Sequence, residues 1–194
     1  MKPINKIFEY LKESNLTMIG YKYQDERIKD ELISKLPHIE IFEFDSSFSV
    51  MAALTRTIRE KKIDSVLDGE GFSNVEFVVV DLGNFDYSKE YDSSTSLGSM
   101  SRSRSISEFI GQMRKEVMET KYSLIILSPV NSNPIGEIPS FSGGNRSVYM
   151  ADVVYVIQGE KIKIMKNRFD SDNITVSLDN LKDYKYICSY ENNN

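Results

Sequence analysis

Val75–Phe85, VEFVVVDLGNF, decides how the rest of the chain is read. Phe77–Val80 is an unbroken, mostly β-branched apolar run that ends on the acid Asp81 and a glycine turn. A strand with one wet face alternates polar and apolar residues, whereas a run without alternation belongs to a strand covered on both faces. Such strands occur in parallel sheets flanked by helices. The stretch therefore sets an α/β expectation and places its own strand centrally in a sheet.

The flanking sequence agrees. Upstream, INKIFEYLKES puts Ile4, Ile7, Phe8 and Leu11 at helical spacing, and LTMIG (16–20) is a short apolar strand. QDERIKDELISKL sets Ile28, Leu32, Ile33 and Leu36 on one helical face before Pro37 ends it. IEIFEF (39–44) is a second strand, and Val50, Met51, Leu54 and Ile58 mark a third helix. Downstream, the polar stretch DYSKEYDSSTSLGSMSRSRS predicts a long loop. Ser105 and Glu108 then fit a capping box for a helix striped by Ile106, Phe109, Ile110, Met113 and Val117. SLIILS (123–128) is a buried strand and PVNSNPIGEIPSFSGGN a second irregular loop. ADVVYVIQ, KIKIMKNRF, NITVSL and YKYICSY follow as consecutive strands. Strands alternating with helices imply parallel pairing through right-handed crossovers, and the helix-free tail implies antiparallel strands extending the same sheet. The 194 residues amount to one domain over 1–190, with an N-terminal helix in 1–14 and a disordered Asn-rich tail at 191–194.

Composition excludes several classes. The net charge is −5 and the pI about 5.1, so no broad basic field holds nucleic acid, and any DNA contact is local or shared with a partner. One cysteine, Cys188, leaves no internal disulfide or cysteine metal cluster, and one histidine, His38, leaves no His–His pair for zinc. No apolar run nears the ~20 residues that span a bilayer. Ile4–Leu11, broken by Asn5, Lys6 and Glu9, does not read as a signal peptide. No membrane contact and a cytoplasmic location are expected.

One charged pattern stands out. In KIKIMKNRFD (161–170) a strand ends on Lys166 and Arg168, two cations one residue apart that share a strand face. Read from the residues alone, they are either solvated strand-end cations near Asp170 and Asp172 or a pair aimed at an anion.

From about residue 75 to 170 the order of these pieces resembles the RecA-like ATPase core of RecA-type and phage recombinases and hexameric replicative helicases. FVVVDLGNF looks like the Walker B strand, which makes Asp81 the candidate Mg²⁺-organising acid. SRSRSISEFIGQMRKEV resembles the helix after the first DNA-binding loop. SLIILSPVNSN resembles the next strand with its polar sensor, and SGGNRSVYMADVVYVI resembles the segment closing the second DNA-binding loop. KIKIMKNRF is similar to the strand whose paired cations cross a subunit interface to a neighbour's ATP phosphates. The resemblance thus implies Lys166 and Arg168 as trans-acting fingers. It further implies Arg102, Arg104 and Arg146 as phosphate contacts on single-stranded DNA and Phe141 as a base-stacking ring.

The resemblance also demands a phosphate loop, G-x-x-x-x-G-K-[ST], after the first strand. Counting from Gly20 in MIGYKYQDERIKD, the Gly-Lys-Ser/Thr positions hold Asp25, Glu26 and Arg27. One carboxylate–phosphate charge pair at ~4 Å and an effective dielectric of ~20 repels by about 4 kcal/mol. Asp25 and Glu26 suit instead the first turn of an ordinary helix, where acids complement the dipole. Asp45, at the end of the second strand, is the candidate for the acid that polarises attacking water.

The chain is thus expected to be a degenerate RecA-like protein of DNA recombination or replication, from a phage or mobile element. It would have no cofactor of its own and act through a RecA-like partner or its own oligomer. The alternatives are an active DNA-dependent ATPase, binding ATP and Mg²⁺ through an atypical loop around Gly20 and Lys22, and a non-enzymatic scaffold.

Overall fold

The computed structural model describes residues 3–36, 38–43, 52–53, 56, 77–83, 96–118, 122–131, 139–170 and 175–177. The elements are α1 (Pro3–Glu13), β1 (Leu16–Tyr21), a 3-10 turn (Tyr23–Asp25), α2 (Glu26–Ser34), β2 (His38–Glu43), β3 (Phe77–Asp81) and α3 (Ser96–Met118). They continue with β4 (Ser123–Asn131), β5 (Ser140–Phe141), α4 (Gly144–Met150), β6 (Val153–Gln158), β7 (Lys161–Asn167) and β8 (Thr175–Ser177).

The main strands form one sheet in the order β2-β3-β4-β1-β6-β7-β8, with β5 paired to β4 alone. The first five along that order are parallel; β7 and β8 extend them antiparallel. This is the mixed, mostly parallel α/β architecture with antiparallel C-terminal strands that the sequence pattern implies. The unbroken run Phe77–Val80 lies in register between β2 and β4 and is buried on both sides.

The period of two sorts the strands into two cores. Ile19, Phe77, Val79, Ile125, Leu127, Val153 and Tyr155 face α1 and α2, where Ile7, Phe8, Leu11, Leu32 and Ile33 cover them. Met18, Val78, Val80, Leu124, Ile126, Val154 and Val156 face α3, where Ile106, Phe109, Ile110, Met113 and Val117 cover them. Polar ties hold the layers together: Tyr155 donates its hydroxyl to the Ile7 carbonyl at 3.0 Å, and Ser123 donates to the Ser14 carbonyl at 2.6 Å.

Three expectations are corrected. The stretch 96–105, expected as loop, is the first half of α3, so Ser105 lies mid-helix and is not its N-cap. Serine competes with the helix only when its hydroxyl captures local backbone in another conformation. Here Ser107 bonds back to the Arg104 carbonyl at 2.9 Å, and Arg104 pairs with Glu108 at 2.8 Å, one turn on. The second loop is also shorter than expected. β4 runs on through Pro129, which is tolerated because β3 has ended opposite Leu127 and leaves that side an edge. Val130 and Asn131 then pair with β5, and Gly144–Met150 is helical. Asp45, most of the expected third helix and the strand expected at 184–190 lie outside the described residues.

Thr17, 1% exposed in β1, has a hydroxyl with no hydrogen-bond partner among the described residues. An unpaired buried hydroxyl costs about 1–3 kcal/mol. Thr17→Val, of nearly the same shape, is expected to raise the unfolding free energy by about 1 kcal/mol in urea titration.

Candidate functional site

Right-handed crossovers that travel in opposite directions along a sheet lie on opposite faces. β1 connects through α2 to β2 toward one edge, while β3 connects through α3 to β4, and β4 on to β6, in the other direction. The neighbours β1 and β4 therefore send their chains to opposite faces. The crevice beyond their carboxyl ends is where open α/β sheets hold ligands.

In this chain that crevice is filled from both faces. From the α2 side, Lys29 donates from Nζ to Oδ2 of Asp81 at 2.7 Å. Tyr21 at the end of β1 donates its hydroxyl to Oδ1 of Asp81 at 3.0 Å, and the Gly83 N–H donates to the same oxygen at 2.8 Å. The ammonium sits 4.6 Å from the centre of the Tyr21 ring, a cation–π contact. Glu26 and Asp30 each lie 3.4 Å from it at the rim. Lys29 is 4% exposed and Asp81 8%. Glycine at 83 is required, because any side chain there would run into the Tyr21 hydroxyl.

Burial by itself acts to lower the Lys29 pKa. The Asp81 hydrogen bond and charge, helped by Asp30 and Glu26, outweigh it and leave Lys29 above its ordinary value. Burial first, and then the Asp81 carboxylate, push the Tyr21 hydroxyl far up. Both groups are thus fixed as donors to Asp81 at neutral pH.

From the α3 side, Gly20 is the sheet position on which Phe141 rests. A methyl group at 20 would stand 2.7 Å from Val130 Cγ1 and 2.8 Å from Phe141 Cε1. Phe141 is 5% exposed, within the α3-side core. Gly20 thus lies inside β1, paired with Ser128, and is not part of a loop. Between Tyr21 and Glu26 the chain makes only a 3-10 turn led by Lys22. Asp25 is 5% exposed and accepts the Gly159 N–H at 3.3 Å, tying the turn to the β6–β7 hairpin. Glu26 occupies the first turn of α2, as expected of an acid there.

These residues do not fit a triphosphate with Mg²⁺. A phosphate loop needs a glycine-rich run of free N–H groups between strand and helix. Here that run is a single tight turn whose acid is already bonded, and both Asp81 oxygens are taken by protein donors. Lys29 and Tyr21 were not foreseen as site residues. Lys29 carried a signal: it shares the buried stripe of α2 with Leu32 and Ile33, continued by Leu36 just past the helix end.

The remaining candidates are scattered. Arg104 is exposed and paired with Glu108. Arg146 is exposed on α4, and Arg102 lies on α3. Phe141, buried on Gly20, presents no ring for a base to stack on. Lys166 and Arg168 stand at the opposite end of the sheet from Asp81, because β7 runs antiparallel and brings Asn167 beside Val153 at the start of β6. Lys166 donates to the carbonyls of Val148, Tyr149 and Ala151 at 3.1, 2.9 and 2.5 Å, capping the C-terminus of α4. Arg168 donates to Oδ1 of the buried Asp152 at 3.2 Å and is otherwise largely exposed.

The site and fold together define a doubly wound α/β chain in which, among the described residues, Lys29, Tyr21, Asp81 and Phe141 occupy the switch-point crevice. Among solved structures it is similar to one titled "Crystal structure of the RadB recombinase", at 13% identity over 90% of this chain and 91% of that one, with a TM-score of 0.46. No protein-family model and no curated protein matches it. Among the described residues no helix is long and apolar enough to cross a membrane.

Two expectations follow from the buried pair. Lys29→Met leaves a buried carboxylate without its counter-ion and should cost about 3–5 kcal/mol. Adding Asp81→Asn should return part of that loss, with a coupling energy of about 1–3 kcal/mol in a double-mutant cycle read by guanidinium unfolding. Lys29 and Tyr21 both titrate higher in the folded chain than in the unfolded one. Their contribution is therefore complete below about pH 10 and is lost as pH rises through their folded values. Denaturation midpoints measured from neutral pH upward should fall in that alkaline range, and less steeply in Lys29→Met.

Proposed function

We propose that this chain is a catalytically degenerate RecA-like protein of DNA recombination or replication. Its crevice neither binds nor hydrolyses ATP, and the chain acts through an active RecA-like partner or through its own oligomer. The observation that carries this reading is the buried Lys29–Asp81 pair with Tyr21: the acid that would organise Mg²⁺ is neutralised from within, at the crevice where a nucleotide would lie. The order of the sequence motifs from 75 to 170 and the mixed sheet with its antiparallel extension support the RecA-like assignment. The chain's contribution to a partner comes from the other end of the sheet, where Arg168 is exposed and its planar guanidinium suits phosphate oxygens. Its acidic balance favours protein contact over a broad DNA face, and the bonded Arg104 and buried Phe141 agree with that.

Isothermal titration of the Arg168→Ala chain, in which the crevice around Asp81 is intact, with ATP·Mg²⁺ is expected to give no saturable heat. Binding at micromolar affinity would overturn the reading in favour of an active ATPase. With an ATP-hydrolysing RecA-like partner that co-purifies with the chain, Arg168→Ala is expected to lower the partner's turnover while the complex survives. Turnover unchanged in an intact complex would leave a scaffold role only.

A further inference from the structure

The end of the sheet opposite Asp81 holds more donors than acceptors. Asp152 at the start of β6 is 3% exposed. Its Oδ2 accepts the N–H groups of Asn15 and Leu16 at 3.0 and 3.2 Å. Its Oδ1 meets Arg168 Nη1 at 3.2 Å and Arg114 Nη2, from α3, at 3.5 Å. The second contact is an ion pair too long for a hydrogen bond. Lys166 adds a third positive charge beside them. Its pKa is lowered, by burial first and also by Arg114 and Arg168, with Asp152 acting the other way. Arg114 Nε and Asn167 Nδ2 find no acceptor among the described residues.

We infer that Arg114 and Arg168, astride Asp152, form an oxyanion-binding pair, and that Lys166 positions the chain and is not part of the grip. The three N–H groups of Lys166 are spent on α4 carbonyls, so it lends charge without offering a hydrogen bond. Each arginine has donors left over: Arg168 is 68% exposed at its side chain and Arg114 25%. Because both reach the same oxygen, their terminal nitrogens stand no further apart than those two contacts laid end to end. A phosphoryl group bridges such a span with charge-assisted bonds of about 2.7–2.9 Å on each side. The single carboxylate between them, already saturated, cannot neutralise three cations, and an arriving dianion would. This deepens the proposed donation of cations from this edge: it replaces the strand pair Lys166–Arg168 with a pair from two different elements. It concerns phosphate chemistry common to polyphosphates and to nucleic-acid strands.

The test needs no partner, so it stands or falls separately from the proposed function. The full chain is titrated at low salt with sodium tripolyphosphate and, separately, with an oligothymidylate, by calorimetry. Saturable binding of tripolyphosphate is expected, weakened about tenfold or more by Arg114→Ala and by Arg168→Ala alike. Arg168→Lys, which keeps the charge but loses the planar fork, should give a smaller loss. Lys166→Met should lower the melting temperature while the folded protein still binds. Binding of the oligothymidylate that is tighter than that of tripolyphosphate, with the same two arginine dependences, would support the pair and identify the phosphate as a phosphodiester strand. No saturable binding of either probe, or binding that Lys166→Met abolishes in folded protein while Arg114→Ala leaves it intact, would overturn the inference.

Discussion

A lysine ammonium held 2.7 Å from a buried carboxylate fixes the carboxyl end of this sheet. Neither charge can be buried alone, because desolvation of an isolated ion costs far more than the fold can spare. Lys29 and Asp81 therefore require each other. Their bond joins α2 to β3, while the Tyr21 hydroxyl draws in the end of β1. Gly83 closes the ring from the loop that follows β3. Two segments far apart in sequence, Tyr21–Lys29 and Asp81–Gly83, are thereby locked around one carboxylate. That carboxylate sits where the topology would otherwise open a ligand crevice.

The two ends of the sheet handle a buried acid in opposite ways. At Asp81 one buried cation and two neutral donors satisfy the carboxylate, and the flanking acids Glu26 and Asp30 lie at the rim. At Asp152 the backbone N–H groups of Asn15 and Leu16 take one oxygen, and two guanidiniums crowd the other with a lysine beside them. The first arrangement is closed to anions; the second has surplus positive charge at the surface.

Much of the fold was legible because it rests on periodicity. The unbroken Phe77–Val80 run, the helical stripes Ile7–Leu11 and Ile106–Val117, and the alternating β7 each state which face is buried. The misreadings have physical causes. Ser96–Ser105 reads as loop by composition, yet serines are tolerated in a helix once Arg104–Glu108 and the back-bond of Ser107 settle the backbone. Lys29 was passed over because a lysine in an amphipathic helix is ordinarily on the wet face; only its alignment with Leu32, Ile33 and Leu36 betrays it. Lys166 and Arg168 were read as equals because they share a strand face, but α4 takes one and leaves the other.

The sequence by itself determined the α/β class and the parallel core with its antiparallel extension. Each follows from the order of apolar residues along the chain. Only the tertiary structure decided which partner each charge obtained: Lys29 for Asp81, α4 carbonyls for Lys166, Asp152 for Arg114 and Arg168. Those pairings join residues from 15 to 52 positions apart, and a buried charge selects its partner by proximity in the packed interior, which no local pattern of residues encodes.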